Sequence, residues 1–434
     1  MGAGQGGGCV RRVVVTGLGV VSPVGIGKDA YWQAIATGAS GLKHLSEVTS
    51  NSHYRRFEFA SQVIGEVEDF DPVKAGLPSE VCALDRYIQF AVAAGRQAMD
   101  DAAFEPADTD RDRLGICLST AICGTRQMET EFVAVTNEGL SDIDPAEVGP
   151  DLYMASMSNT PSILLAAITG AHGPAVTLST GCVGGIDAIG YAYEAIAYGE
   201  ADVMLAGASE APITPITTAA FEAINCLSRR HNHRPTAASR PFDADRDGFV
   251  LSEGCGVVLI EELEHAIARG ATAYAEIGGF SLTCNALHMT DLLSDGAELA
   301  RSMIESLAAA GHAPPDVDHV NAHGSSTPQN DKCETSAIVM ALGDRAAEIP
   351  VNSIKSMTGH PLSAASALEI VACALAFRND FVPPTINYEI PDPACHLDYV
   401  PNEGRQWDGQ VILSDASGFS GLHAALVLKR IGAS

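Results

Sequence analysis

Short, uninterrupted apolar runs recur along the chain, each closed by glycine, serine or a polar turn. The first is Val13-Val14-Val15, entered from Arg11-Arg12 and closed by Gly17 and Gly19. Others cover 114–119, 175–179, 203–206, 257–260, 317–322 and 411–414. A strand with one wet face alternates apolar and polar residues, whereas a strand covered on both faces shows an unbroken run. Between the runs lie stretches of helical character over 87–101, 186–198, 299–310 and 363–377. Strands alternating with helices predict an α/β architecture with mostly parallel sheets.

Two of these units echo one another. Over 176–197 a strand enters Ser179-Thr180-Gly181-Cys182 and then a helix of small residues; over 351–376 another enters Lys355-Ser356-Met357-Thr358-Gly359-His360 and a second such helix. Strand, tight glycine turn, reactive residue and buried helix thus occur twice, which predicts two duplicated halves, 11–270 and 271–434. No low-complexity linker separates them, so the halves are expected to form one body. Residues 1–10 are expected to be a disordered, Gly-rich leader.

Charge narrows the class of partner. The 434 residues carry 26 Lys and Arg against 54 Asp and Glu, a net charge of −28. Nucleic acid is a poor partner for such a surface. Charged residues make up only 18% of the chain, against roughly 25% in an average globular protein, and apolar residues reach 46%. The excess of acid is therefore spread over a protein able to bury a large core, not over a disordered acidic segment. Eleven cysteines without a C-x-x-C pair fit neither a disulfide framework nor a zinc ribbon, and point to a reducing cytoplasm. No run approaches the roughly 18 apolar residues of a membrane span, so no membrane partner is expected.

Three residues stand where α/β folds place chemistry. Cys182 follows a buried strand and opens a helix rich in Gly184, Gly185, Ala188 and Gly190. A thiol at a helix N-terminus is expected to have a lowered pKa, and the free N–H groups there can hold an oxyanion. A cysteine also serves as a small buried hydrophobe, and that alternative remains open for Cys182. His323 ends an apolar strand before the polar turn Gly324-Ser325-Ser326-Thr327, and His360 follows Gly359 in the second repeated unit. A single histidine of this kind is more commonly structural.

Three other patterns carry less. Asp243-Ala244-Asp245-Arg246-Asp247-Gly248 begins like a calcium loop but has Gly254 at its twelfth position, so the bidentate ligand is missing. His231-Asn232-His233 is flanked by Arg229, Arg230 and Arg234, whose charge opposes a metal. Gly17-Leu18-Gly19 with Gly25 lacks the spacing of a dinucleotide fingerprint and is expected to be a tight strand exit. No metal site is expected.

With Cys182, His323 and His360 in that order, the chain resembles the β-ketoacyl-acyl carrier protein synthases of the thiolase superfamily, over nearly its whole length. Ser179-Thr180-Gly181-Cys182, Pro212-Ile213-Thr214-Pro215-Ile216, Ser239-Arg240-Pro241-Phe242-Asp243 and Pro391-Asp392-Pro393 with Leu397-Asp398-Tyr399-Val400-Pro401 are most similar to the alpha ketosynthase subunits of bacterial type II polyketide synthases. The resemblance implies two βαβαβαββ halves in a five-layered α-β-α-β-α core. It implies decarboxylative Claisen condensation, with Cys182 as the acyl acceptor and His323 and His360 as donors to the malonyl thioester carbonyl. Lys355, supported by Glu369, would order the second histidine's site. Backbone N–H groups of Cys182 and Phe419 would form the oxyanion hole, with the Phe419 ring as a gate and Gly418 and Ser420 as substrate- or pantetheine-binding positions. Ser325 and Thr327 match the pantetheine-binding hydroxyls, and Asp331 and Glu334 the acidic support positions.

The resemblance further implies no cofactor beyond the phosphopantetheine arm of acyl carrier protein. It implies a dimer, either a heterodimer with a chain-length factor or a homodimer. An intact Cys182 argues for a catalytic subunit over a noncatalytic one. A homodimeric fatty-acid synthase of the same chemistry is one alternative, and a Cys-dependent acyltransferase or thioesterase without condensation another. Departures from the family pattern are Ser420 in place of glycine, Leu422-His423 after it, Ser325 in place of threonine, and the non-basic stretch Glu80-Val81-Cys82-Ala83-Leu84. Arg229, Arg230, Arg234 and Arg240 place four basic residues in twelve positions with no acid among them. This basic island on an acidic protein is the expected docking point for an acidic carrier.

Overall fold

In the computed structural model, which describes residues 10–51, 54, 57–292 and 295–432, the first apolar run extends well beyond its three valines. Strand β1, Val13–Ser22, is buried over all ten residues. Gly17 and Gly19 lie inside it and do not close it. Their role is steric: a Cβ at Gly17 would sit 2.0 Å from the Ala98 carbonyl oxygen, and one at Gly19 would sit 1.8 Å from that of Ala94. The expected strand exit is instead the place where a helix lies directly on the strand. Nine of the ten residues of the leader fall outside the described residues.

Four more strands complete the first half: β2 Leu114–Ser119, β3 Ala175–Leu178, β4 Val203–Glu210 and β5 Gly254–Glu262. Five follow in the second: β6 Ala275–Cys284, β7 His319–Asn321, β8 Val351–Asn352, β9 Val411–Ser417 and β10 Leu422–Lys429. Their spatial orders are β3-β2-β4-β5-β1 and β8-β7-β9-β10-β6. Counted within each half, both are 3-2-4-5-1, so the duplication extends through the whole connectivity. The two sets join where Val13, Val14 and Val15 of β1 pair with Ile277, Glu276 and Ala275 of β6.

The sheets are mixed, which corrects the expectation of mostly parallel pairing. In each half two pairings are parallel (β2 with β3 and β4; β7 with β8 and β9), and the two that return the chain are antiparallel (β4–β5 and β5–β1; β9–β10 and β10–β6). Unbroken apolar runs report burial on both faces, and here helices cover both faces whichever way a strand runs.

Six helices provide that cover: α1 Arg86–Asp101, α2 Thr160–Thr169, α3 Gly184–Ala197, α4 Ala297–Ala309, α5 Pro328–Leu342 and α6 Ser363–Asn379. α1 and α2 lie on the outer face of the first half, and α4 and α5 on that of the second; α3 and α6 pack on each other between the halves. This is a five-layered α-β-α-β-α core. α6 is buried all round from Ser363 to Phe377, as a central helix must be, and so shows no amphipathic face. Its alanines and serines let α3 approach closely. No described helix is long and apolar enough to cross a membrane.

The α3–α6 contact leaves no room at Gly185, where a Cβ would lie 2.3 Å from the Ala367 nitrogen. Gly185→Ala is expected to lower stability by about 1–3 kcal/mol, the usual cost of overpacking a core, despite alanine's better helix propensity. Urea unfolding measures this; unchanged or increased stability would contradict the packing described.

Candidate active site

Cys182 sits in the turn Gly181–Val183 between β3 and α3. Gly181 has φ +62°, a left-handed conformation that favours glycine. The central helix holds this turn from the other half: Ser363 Oγ donates to the Gly181 carbonyl (2.9 Å) and Ser366 Oγ to that of Cys182 (3.2 Å). The small polar residues that let α6 lie close to α3 therefore also fix the thiol.

The two histidines arrive from the second half. His323 lies just beyond β7, and His360 follows the short helical turn Lys355–Thr358 and Gly359, whose φ is +69°. Their ring centroids are 5.2 Å apart, with ring planes at 81°. The buried Lys355 ammonium donates to the His323 carbonyl at 2.6 Å and pairs with Glu369 of α6. Glu334 of α5 accepts the Gly324 N–H at 2.8 Å, while Asp331 accepts those of Phe242 (2.8 Å) and Ser326 (3.2 Å). Ser326 has φ +70°, a strained backbone held by Asp331 and by the Arg240 N–H on its own Oγ (2.9 Å). On either side of it, Ser325 and Thr327 bring their hydroxyls within 2.9 Å of one another.

Cys182, His323, His360, Ser325, Phe249 and Phe419 line one narrow cleft, with about 30 Å³ open to a water-sized molecule. A second cleft opens outward past Asn225, Cys226 and Gly248 and shares Phe419, Thr290, Thr327 and Gln329 with the first. Phe419 thus stands at the junction of an outer channel and an inner pocket. Gly418 lines the inner pocket and its N–H donates to the Leu422 carbonyl (2.8 Å). Ser420 lies in the same turn, and its side chain falls outside the described residues.

Burial dominates the electrostatics. It raises the Cys182 thiol to about 11, although Lys355 and the N–H groups of Cys182 and Phe419 favour the thiolate; Glu210 adds to the rise. The expected lowered pKa is therefore corrected: helix-terminal N–H groups do point at the sulfur, but desolvation outweighs them. Burial also pushes both imidazoles well below the usual histidine value, helped by the Lys355 charge and, at His323, by His360 and His423. Both rings are neutral at pH 7.

The comparisons with known proteins follow this geometry. Residues 10–266 match the family described as Beta-ketoacyl synthase, N-terminal domain, and 274–389 its C-terminal domain. The chain belongs to the β-ketoacyl synthase family. A putative polyketide beta-ketoacyl synthase 1 of Streptomyces halstedii is 47% identical over 96% of this chain and 98% of that one. A solved type II polyketide synthase acyl-carrier protein complex with its ketosynthase bound to the hexaketide has a TM-score of 0.90 at 43% identity, covering 97% of this chain and 99% of that one. The ishigamide ketosynthase/chain length factor has a TM-score of 0.87 at 33% identity, covering 97% and 100%.

The synthase brings together Cys182, His323, His360, Lys355, Glu369, Phe419, Ser325 and Thr327, but not the basic island. Arg240 is buried and paired with Asp243 (2.9 Å) and Glu389 (3.1 Å). Arg230 pairs with Asp245 (2.8 Å) and Arg234 with Glu389 (2.7 Å). Acids outside the segment, Asp243 and Asp245 just beyond it and Glu389 far along the chain, neutralise three of the four arginines. Among the described residues only neutral acceptors, the Glu222 carbonyl and Asn225, hold the Arg229 guanidinium, and Asn225 lines the outer cleft. The calcium-like acids are likewise occupied: Asp243 by Arg240, and Asp247 by Ser228 and the Arg229 and Arg230 N–H groups.

Sequence reasoning missed Phe249, whose ring meets His360 edge-on at 5.2 Å, and Glu210 at the end of β4. The Glu210 carboxylate accepts the Ala121 N–H and burial raises it to about 8. A lone acid ending an apolar strand was the available signal for Glu210; none marked Phe249. Because the thiol titrates near 11, alkylation of Cys182 by iodoacetamide is expected to accelerate about tenfold per pH unit across the neutral range. Mass spectrometry follows this rate, and a plateau below pH 8 would show a low-pKa thiol. Lys355→Met should slow alkylation at any given pH, since the ammonium favours the thiolate.

Proposed function

We infer that the synthase is the catalytic ketosynthase subunit of a type II polyketide synthase, extending a Cys182-bound acyl chain by decarboxylative condensation with malonyl-acyl carrier protein. The observation that carries this reading is the sharing of one small pocket by a buried thiol and two buried, neutral imidazoles. A hydrolase or simple acyltransferase needs one base. Two uncharged donors beside the nucleophile suit an enolate.

In the first step Cys182 Sγ attacks the acyl-carrier thioester carbonyl, the N–H groups of Cys182 and Phe419 receive the oxyanion, and the carrier thiolate leaves with the thiol's proton. In the second, His323 and His360 donate to the malonyl thioester carbonyl. The bond to the malonyl carboxylate breaks, carbon dioxide departs, and the electron pair passes into the enolate. The enolate carbon attacks the Cys182 acyl carbonyl; collapse expels the Cys182 thiolate, which takes up one proton from solvent, and leaves β-ketoacyl-acyl carrier protein. Decarboxylation supplies the carbanion and the thioester the leaving group, so the sequence calls for no further cofactor.

The outer cleft, with Ser325 and Thr327 at its inner end, suits a phosphopantetheine arm, and Arg229 at its rim is the docking cation this reading retains, with Arg230 and Arg234 in support. β3 is a sheet edge, and Ile163 and Ile168 of the adjacent α2 are exposed. An exposed edge beside apolar side chains calls for a partner. A chain-length factor fits, in a heterodimer that covers the edge leading directly to Cys182; a second copy of this chain is the other outcome of copurification from the host. A cytoplasmic location and the division 11–270 and 271–434 belong to the same reading.

Cys182→Ala is expected to abolish acyl loading, whereas His360→Ala should leave loading largely intact and abolish condensation; equal loss of loading in both would contradict these roles. Arg229→Glu should raise the apparent KM for carrier protein with little change in kcat. Radiolabelled transfer and product assays with the purified dimer distinguish these cases.

A further inference from the structure

Asp415 is the one charged residue of β9, and its side chain is fully buried. It faces Glu334 of α5 and lies beside the His323 backbone N–H. Among the described residues neither Asp415 oxygen completes a hydrogen bond with a protein donor, and Glu334 Oε1 has none either. Two buried carboxyls are thus in contact with no N–H or hydroxyl between them. Two bare carboxylates could not persist in that geometry, and a proton on one makes it the missing donor to the other.

Lys355, the Gly324 N–H and Asn330 Nδ2 (3.1 Å from Glu334 Oε2) favour the Glu334 carboxylate, but none of them donates a hydrogen bond to Asp415. Lys355 is paired with Glu369, and Asp331 lies 3.5 Å from Arg246. His423 on β10 is neutral, lowered to about 4 by burial, and bonds Ser417 (2.9 Å) and Asn285 (2.9 Å). Cys333 of α5 and Cys373 of α6 are thiols raised by burial, and His323 is itself neutral. Burial, with the Asp331 charge adding to it, raises Glu334 to about 7 although Asp415 as a hydrogen-bond donor favours its carboxylate, and burial with the Glu334 charge raises Asp415 well above its ordinary value.

We propose that Asp415 and Glu334 share one proton at neutral pH and act as a positioning pair for His323. Glu334 accepts the Gly324 N–H at 2.8 Å, Asp415 lies against the N–H of the preceding residue, and Lys355 holds the His323 carbonyl between them. Loss of the shared proton sets two carboxylates against each other across this strand exit and moves the imidazole it carries. The proposal rests on the reading of His323 as a donor to the malonyl carbonyl.

The test compares Asp415→Asn, which supplies a donor that cannot ionise, with Asp415→Ala and Glu334→Gln. Asp415→Ala is expected to lower the condensation kcat about tenfold or more, as small displacements of a catalytic group do, with Cys182 loading retained. Asp415→Asn should recover most of that loss and remove the alkaline fall in condensation expected of the wild type. The infrared difference spectrum of the resting wild-type enzyme minus Asp415→Asn or minus Glu334→Gln should show a protonated-carboxyl band, over and above that of Glu210, which both variants keep. An unchanged alkaline limb in folded Asp415→Asn, failure of asparagine to rescue, or a difference spectrum without that band would overturn the proposal. The infrared readout needs no substrate, so a band that is present while His323→Ala still condenses would sink the functional reading and leave the shared proton standing.

Discussion

One buried ammonium organises the centre of this protein. Lys355 donates to the His323 carbonyl and pairs with Glu369 on the central helix, and its charge acts on every reactive group nearby. It adds to the burial that keeps both imidazoles neutral, favours the Cys182 thiolate, and partly offsets burial at Glu369, which still rises to about 7. Removing one partner from such a pair costs about 3–5 kcal/mol, because the other charge is left buried and uncompensated. The lysine therefore cannot vary independently of the helix that carries its partner. That same helix, through Ser363 and Ser366, holds the nucleophile's turn.

The duplication explains why the site forms where it does. Each half ends a parallel strand of its sheet in a turn bearing a reactive residue, β3 at Cys182 and β7 at His323. The paired central helices bring the two turns together. His360, beyond β8, occupies the place in the second half that Cys182 has in the first. Burial between two sheets also sets the chemistry. A buried pocket disfavours a standing thiolate and a standing imidazolium alike, so the groups act as neutral donors and charge develops only during reaction. The leaving thiolate takes the proton that the attacking thiol gives up.

Much of this was legible in the chain. Cys182 and His360 each follow a strand and a glycine turn, His323 ends an apolar strand just before one, and the structure gathers all three. The strand direction was not legible, because the buried runs of β4 and β5 have the same composition whether they pair parallel or antiparallel. Nor was the role of Gly17 and Gly19, whose need for glycine comes from α1, some eighty residues away in the chain. The basic island misled for the same reason: Glu389 and Asp245 neutralise its arginines from outside the segment. The lowered thiol pKa was a local inference from a helix terminus, overturned by burial that only the tertiary fold supplies.

The central claim is that His323 and His360 act as uncharged donors, kept so by burial and by Lys355. ¹⁵N NMR of the histidine ring nitrogens, assigned with His323→Gln and His360→Gln, tests it directly. Both rings should remain neutral from about pH 5 to 8, the range over which an ordinary histidine changes charge. Protonation of either ring with a midpoint near 6.5 would contradict the account.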